Sequence, residues 1–119
     1  MKNIELDKTF KTPYIKLIDN SLTITGRSYP EMAIKFYKPI MDSINEVDSF
    51  DSFTIYLDFE YLNISSNKAV FYIIKNIADK TKKIVEVNWT IEKDDDSLID
   101  LADDYKSIMN NTKFIIYLK

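Results

Sequence analysis

The spacing of apolar and polar residues along the chain predicts strands in several places. Phe53 to Tyr61 alternates between apolar and polar side chains, which indicates a strand with one buried and one wetter face. Ile84 to Ile91 shows the same period of two, and Phe114 to Leu118 supplies a closing strand. Tyr14 to Ile18 and Leu22 to Thr25 are short β-prone runs, and the turn-forming residues between them predict a hairpin.

Apolar residues spaced three and four positions apart predict three helices. Ser28 and Glu31 fit a capping box, so the first helix should begin there, and it should end near Glu46. The second helix is expected to end at Asp79, and the third follows the acidic run 94–96. The apolar stripes of the three helices consist of Ala33, Tyr37, Ile40, Met41, Ile44 and Val47, then Ala69, Val70, Ile73 and Ile77, then Leu98, Leu101, Ala102, Tyr105, Ile108 and Met109.

This order of elements predicts an α/β fold with a mixed, mostly parallel sheet of about five strands that opens with the N-terminal hairpin. Because several strands alternate rather than read as continuous apolar runs, the helices should lie mainly on one face. Right-handed crossovers then bring three loops to one edge of the sheet, at residues 26–31, 61–66 and 92–97. Function is expected at this edge, because helix N-termini there favour anions.

Composition narrows the range of functions. The chain has 119 residues, one glycine and three prolines, so a single domain spanning residues 1–119 is expected, without a linker. It contains no cysteine and no histidine. Their absence excludes disulfides, zinc sites with sulfur or imidazole ligands, thiol nucleophiles and catalysis by an imidazole base. We expect neither a metal nor a cofactor.

Charge and hydropathy restrict the partners further. The net charge is −3, and most lysines are scattered singly, so no basic stripe is available to neutralise phosphates. Nucleic acid is therefore not an expected partner. The sequence shows no secretory signal and no apolar run long enough to span a bilayer. A cytoplasmic location without membrane contact is expected.

Two groups of carboxylates are candidates for chemistry. Asp94, Asp95 and Asp96 offer the oxygen ligands that a hard cation prefers, but the glycine and the bidentate glutamate of a calcium loop are missing. Capping of the following helix is the favoured interpretation. Glu31, Glu60 and the acidic run could converge on one edge to give a general acid–base pair, yet Glu31 is assigned to the capping box and Glu60 to the polar side of its strand. We expect no enzymatic activity.

The loop before the second helix combines a cap with hydroxyl groups. Either Asn63 or Ser65 can act as the N-cap, and the sequence leaves both open. A hydroxyl here would also be a favourable place for phosphate, because the helix terminus attracts anions. The added charge of about −1.5 to −2 would act on any docked partner. Such a site would be a natural switch.

Motifs along nearly the whole chain resemble one known family. They are Gly26-Arg27-Ser28-Tyr29-Pro30-Glu31, Phe36-Tyr37-x-Pro39, Glu60-Tyr61-Leu62-Asn63-Ile64-Ser65-Ser66-x-Lys68, and Asn88-Trp89 followed by the acidic run. Together they resemble the SiaC family of bacterial regulatory phosphoproteins. The resemblance implies a STAS-like fold and a partner-switching role. In that role a kinase phosphorylates the domain, a PP2C-type phosphatase reverses the reaction, and the unphosphorylated form engages an effector such as a diguanylate cyclase.

One position departs from the family pattern. The resemblance implies that the family is phosphorylated on a threonine, and this chain has Ile64 at the matching position. Isoleucine cannot accept phosphate. Three alternatives follow. Ser65 or Ser66 has taken over as the acceptor, or the protein stays in the unphosphorylated form, or regulation proceeds by binding alone.

The expected contact surface for partners lies at the shared edge of the sheet. Arginine and tyrosine are typical anchors of protein interfaces, and the acids after the tryptophan complete the surface. The predicted contact residues are Arg27, Ser28, Tyr29, Glu31, Leu62, Asn63, Ile64, Ser65, Lys68, Trp89, Asp94, Asp95 and Asp96. An alternative function is a sensor that binds a small molecule or nucleotide at the same edge.

Overall fold

The computed structural model describes all 119 residues as six strands and three helices. The elements in chain order are β1 (Ile4–Leu6), β2 (Tyr14–Ile18), β3 (Ser21–Ser28), α1 (Ala33–Asn45), β4 (Thr54–Leu62), α2 (Ile64–Lys80), β5 (Val85–Ile91), α3 (Asp96–Ile108) and β6 (Thr112–Leu118). No helix combines the length and the apolar character that crossing a membrane would require.

All six strands form one mixed sheet in the order β1-β2-β3-β4-β5-β6. Strand β2 runs antiparallel to both β1 and β3, whereas β3, β4, β5 and β6 run parallel to one another. The predicted α/β class with a mostly parallel sheet is therefore confirmed. The expected number of strands is wrong by one, because Ile4–Leu6 pairs with β2. Three residues are too few to show a period of two in sequence.

The helices cover one face of the sheet, as the alternation predicted. Ile24, Leu57 and Trp89 are register partners on adjacent strands, and all three side chains lie in the buried core with the apolar stripes of the helices. The opposite face carries the half-buried Thr23 and the exposed Tyr56. One hydrophobic layer between sheet and helices thus forms the core, and the other face of the sheet has no helix on it.

The predicted start of the first helix is wrong. The helix begins at Ala33, and its N-cap Met32 makes no side-chain hydrogen bond. Ser28 instead ends β3 and is fully buried, while Glu31 is exposed. The strand extends to Ser28, where the N-cap was expected, because it remains paired with β4 up to Leu62. Gly26 pairs with Phe59 and Arg27 pairs with Tyr61, so Glu60 of β4 has no partner in β3. The backbone is irregular at this point, and Gly26 has a φ of 113°. The end of the helix near Glu46 is confirmed.

Candidate functional site

The three predicted loops meet at one edge of the sheet, which we call the rim and define as residues 26–31, 61–66 and 92–97. They follow the carboxyl ends of the parallel, adjacent strands β3, β4 and β5. Arg27 pairs with Tyr61 in the sheet, and Asp95 borders the same cleft as Ile64. The prediction of a shared edge is therefore confirmed.

Asn63 caps the second helix at the centre of the rim. Its Oδ1 accepts a hydrogen bond of 2.8 Å from the Ser66 N–H, and its own N–H donates to the Ser28 carbonyl at 3.0 Å. Of the two capping residues that the sequence left open, Asn63 is the one that acts. Ser65 is exposed, and its Oγ lies 3.4 Å from the same Oδ1. The Ile64 side chain is 77% exposed.

The other serine of this turn belongs to a buried cluster of hydroxyl groups. The Ser28 Oγ donates to the Ser66 Oγ at 2.9 Å, and the hydroxyls of Ser28 and Tyr37 lie 2.6 Å apart. Burial raises the pKa of Tyr37 to about 12, although its bond to Ser28 acts in the opposite direction. Ser28 has no exposed surface, so the expectation that it lies at the contact surface is corrected, and Ser66, a candidate for phosphorylation, is buried in the same way.

Trp89 is also buried, although its motif placed it among the expected contact residues. It lies on the helix-facing side of β5, because alternation along the strand directs it inward. Its ring packs edge-on against Phe59 and Tyr105, with centroids 6.3 and 5.1 Å away. Its Nε1 has no hydrogen-bond partner. Trp89 therefore supports the rim from the core and does not form part of its surface.

The acidic run starts the third helix, as the capping interpretation predicted. Asp95 is the N-cap and accepts a hydrogen bond of 3.1 Å from the Leu98 N–H. Asp96 lies in the first turn, where the helix dipole favours a negative charge. Asp94 is exposed and precedes the cap. The run thus has a structural role at the helix terminus.

An open cleft of about 390 Å³ lies between the end of β4, the start of α2 and the start of α3. Its apolar lining comes from Tyr61, Leu62, Ile64, Leu98 and Leu101. Asn67, which lines it as well, accepts hydrogen bonds from the Tyr105 hydroxyl through its side-chain and backbone oxygens. The cleft therefore places apolar surface between two helix N-termini.

Arg27 organises the other half of the rim. Its Nε donates to Glu60 at 3.1 Å, and its guanidinium lies 4.9 Å from the centre of the Phe10 ring. The Tyr29 ring packs edge-on between Phe10 and Tyr61, with centroid distances of 6.1 and 5.5 Å. The rim is thus continued by a row of three aromatic rings.

Sequence analysis missed four apolar residues of this site. Phe10 is 71% exposed and reaches the rim from a loop before β2, and Tyr61 is 53% exposed. The spacing along the third helix indicates Leu98 and Leu101 only as members of its apolar stripe. A signal exists for Tyr61, which lies within the motif around Asn63, whereas nothing local links Phe10 to Arg27. The remaining expected residues, Glu31 and Lys68, are exposed at or beside the rim.

Comparison with known proteins decides the family. The model of the family described as SiaC family regulatory phosphoprotein matches residues 6–118. The chain belongs to the SiaC family. The resemblance expected from the motifs is therefore confirmed, and with it a regulatory role.

Solved structures of the family share the fold. The chain is similar to SiaC of Pseudomonas aeruginosa, with 22% identity, a TM-score of 0.85 and coverage of 100% of both chains. It is also similar to SiaC from a crystal structure of the diguanylate cyclase SiaD in complex with its activator SiaC from the same organism. There the identity is 22%, the TM-score 0.84, and the coverage 98% of this chain and 99% of that chain. A search of curated proteins found no match.

Proposed function

We propose that the protein is a non-enzymatic regulator that binds a diguanylate cyclase through the rim and modulates its activity. Membership of a family of regulatory phosphoproteins supports the regulatory part. The structurally similar SiaC of P. aeruginosa is an activator seen in complex with the cyclase SiaD, which supports the class of effector. A cyclase of this class uses GTP, so the proposed place of action is the cytoplasm.

The observation that carries this proposal is the apolar surface around the start of α2. Ile64 projects into solvent beside the cleft, with Tyr61 next to it. Exposed apolar surface bordered by polar groups is typical of protein interfaces. Arg27 and Tyr29 add the residue types that most often anchor such contacts. Asp94 to Asp96 and Lys68 would then form part of the polar border.

We further propose that Ser65, if a kinase acts on this protein, is the acceptor, and that a PP2C-type phosphatase removes the phosphate. Ser65 is exposed in the first turn of α2, whereas Ser66 is bonded within the core. The first N–H groups of a helix have no partner within it and favour a phosphate dianion. The phosphate would add about −1.5 to −2 charges beside Ile64 and oppose the docking of an apolar partner surface.

The decisive experiment replaces Ile64 by aspartate and measures binding to the cyclase encoded nearest to the gene by titration calorimetry. A buried, unpaired charge at an interface costs about 2–5 kcal/mol, so Ile64→Asp should weaken binding by at least about 30-fold. The fold should persist, because a carboxylate in the first turn of a helix interacts favourably with its dipole.

Ile84→Asp is the matched control. Ile84 is 64% exposed, but it precedes the amino end of β5 and therefore lies at the opposite edge of the sheet. Its substitution should leave binding unchanged. Equal affinity of the wild type and Ile64→Asp, or equal weakening by both variants, would contradict the proposed surface.

A further inference from the structure

Strand β6 is one edge of the sheet, and an outer row of its backbone groups has no partner there. It pairs with β5 from Val85↔Thr112 to Ile91↔Leu118 without a break in register. The Asn111 carbonyl accepts from the Val85 N–H, and the Lys119 N–H donates to the Ile91 carbonyl, each at 3.0 Å. Odd-numbered residues therefore face β5, and the N–H and C=O groups of four even-numbered residues point outward. These are Thr112, Phe114, Ile116 and Leu118.

From Phe114 to Leu118 the side chains along this edge are apolar on both faces of the sheet. Ile115 and Tyr117 lie on the face without helices, and Tyr117 is 50% exposed. Ile116 and Leu118 lie on the helix face, and Leu118 is 58% exposed. Natural proteins usually protect a long edge with proline, with charged side chains such as lysine or with a very short strand, and within β6 only Lys113 provides such a charge. The opposite edge has that protection, because β1 has three residues and includes the exposed Glu5.

We infer that β6 pairs antiparallel with β6 of a second copy of this chain, which joins the two sheets across a two-fold axis. The strand can pair with itself, and the place of Lys113 on it favours one register. With the axis at Ile115, Lys113 lies opposite Tyr117 of the second copy, where an ammonium group can contact the ring. With the axis at Ile116, Lys113 would instead lie opposite Lys119 of the second copy, whose ammonium group already binds Asp58 at 3.0 Å, so Lys113 would gain no partner.

The register centred on Ile115 also uses the outward backbone groups. Phe114 and Ile116 of the two copies then form hydrogen-bonded pairs, as do Thr112 and Leu118. The two Ile115 residues form a non-hydrogen-bonded pair with their Cα atoms about 4.5 Å apart. This separation lies within the range that a disulfide can bridge.

Single cysteines test this register directly, because the chain has none of its own. Ile115→Cys should form a disulfide-linked dimer under mild oxidation, on the order of tenfold faster than Lys16→Cys, which is exposed on β2 far from the edge. Lys113→Cys alone should not cross-link rapidly. A mixture of Lys113→Cys and Tyr117→Cys should give the heterodimer. Rapid cross-linking of Lys113→Cys by itself would overturn the register.

Sedimentation equilibrium tests the association without any cross-link. The wild type should approach twice the mass of one chain as its concentration rises. Ile115→Lys should remain monomeric, because it places two like charges opposite each other, and circular dichroism confirms that it is folded. Thr23→Lys, on the same sheet face but on β3, should dimerise like the wild type.

A wild type that stays monomeric at every concentration, with Ile115→Cys no faster than Lys16→Cys, would overturn the pairing and leave the edge to a strand of another protein. Ile64→Asp changes the rim and not this edge. The variant should therefore retain self-association even if the proposed function fails.

Discussion

The Oγ of Ser28, in the last residue of β3, lies 2.9 Å from the Oγ of Ser66, in the first turn of α2. The two residues are 38 positions apart in the chain. Their bond, with the Tyr37 hydroxyl beside it, holds the start of α2 against the end of the sheet. Ser66 is therefore structural, and Ser65 next to it faces solvent.

Removing the Ser28 hydroxyl should destabilise the protein. In Ser28→Ala the hydroxyls of Ser66 and Tyr37 lose their shared partner inside the core, and an unsatisfied buried group costs about 1–3 kcal/mol. The free energy of unfolding, measured by urea denaturation, should fall by that amount. Ser65→Ala, which changes an exposed side chain, should stay within about 0.5 kcal/mol of the wild type. Equal losses in the two variants would show that the buried cluster contributes no more than the exposed hydroxyl of Ser65.

Phosphorylation should distinguish the same two serines. We expect a cognate kinase with ATP to modify Ser65, because its hydroxyl is accessible, and to leave Ser66 unmodified. Mass spectrometry of proteolytic peptides locates the phosphate. Ser65→Ala should abolish the modification. Phosphate on Ser66 of the folded protein would contradict the assignment, and absence of phosphate on both would favour regulation by binding alone.

The acidic run should contribute to stability through one carboxylate. Asp95→Ala removes the N-cap of α3, and loss of such a cap costs about 0.5–2 kcal/mol. Asp94→Ala is the matched control, because Asp94 is exposed and caps nothing. Thermal denaturation of the two variants compares them. A larger effect of Asp94→Ala would show that the run has another role.

Alkaline pH should weaken the fold through Tyr37. Its pKa is raised from 10.0 to about 12, mainly by burial, so between these values the unfolded chain releases the phenolic proton while the folded protein keeps it. The unfolded state then binds fewer protons, and stability falls as pH rises by up to about 1.4 kcal/mol per pH unit.

Urea denaturation at about pH 9 and about pH 11 measures this loss. Tyr37→Phe should lose less stability between the two pH values than the wild type, whatever its stability at the lower pH. Tyr72→Phe removes an exposed phenol and serves as the control. Parallel losses in the wild type and Tyr37→Phe would exclude Tyr37 as the group that titrates.

The sequence by itself determined eight of the nine elements and their order. Alternation around Leu57 and Val87 identified two central strands, and the three- and four-residue spacing identified which side of each helix is buried. Topology followed, because right-handed crossovers leave few arrangements and bring the loops after parallel strands to one edge. The motifs in these loops also identified the family. All of these inferences depend on residues that are close in the chain.

Only the tertiary structure decided which side chains form the surface of the rim. Ser65 and Ser66 are adjacent hydroxyls in one helical turn, and the distant Ser28 is what draws one of them into the core. The capping box failed for a similar reason, because β4 extends alongside β3 and makes residue 28 part of a strand. Phe10 reaches Arg27 from a separate loop. Burial results from contacts between residues that are far apart in the chain, so it cannot be predicted from local propensities.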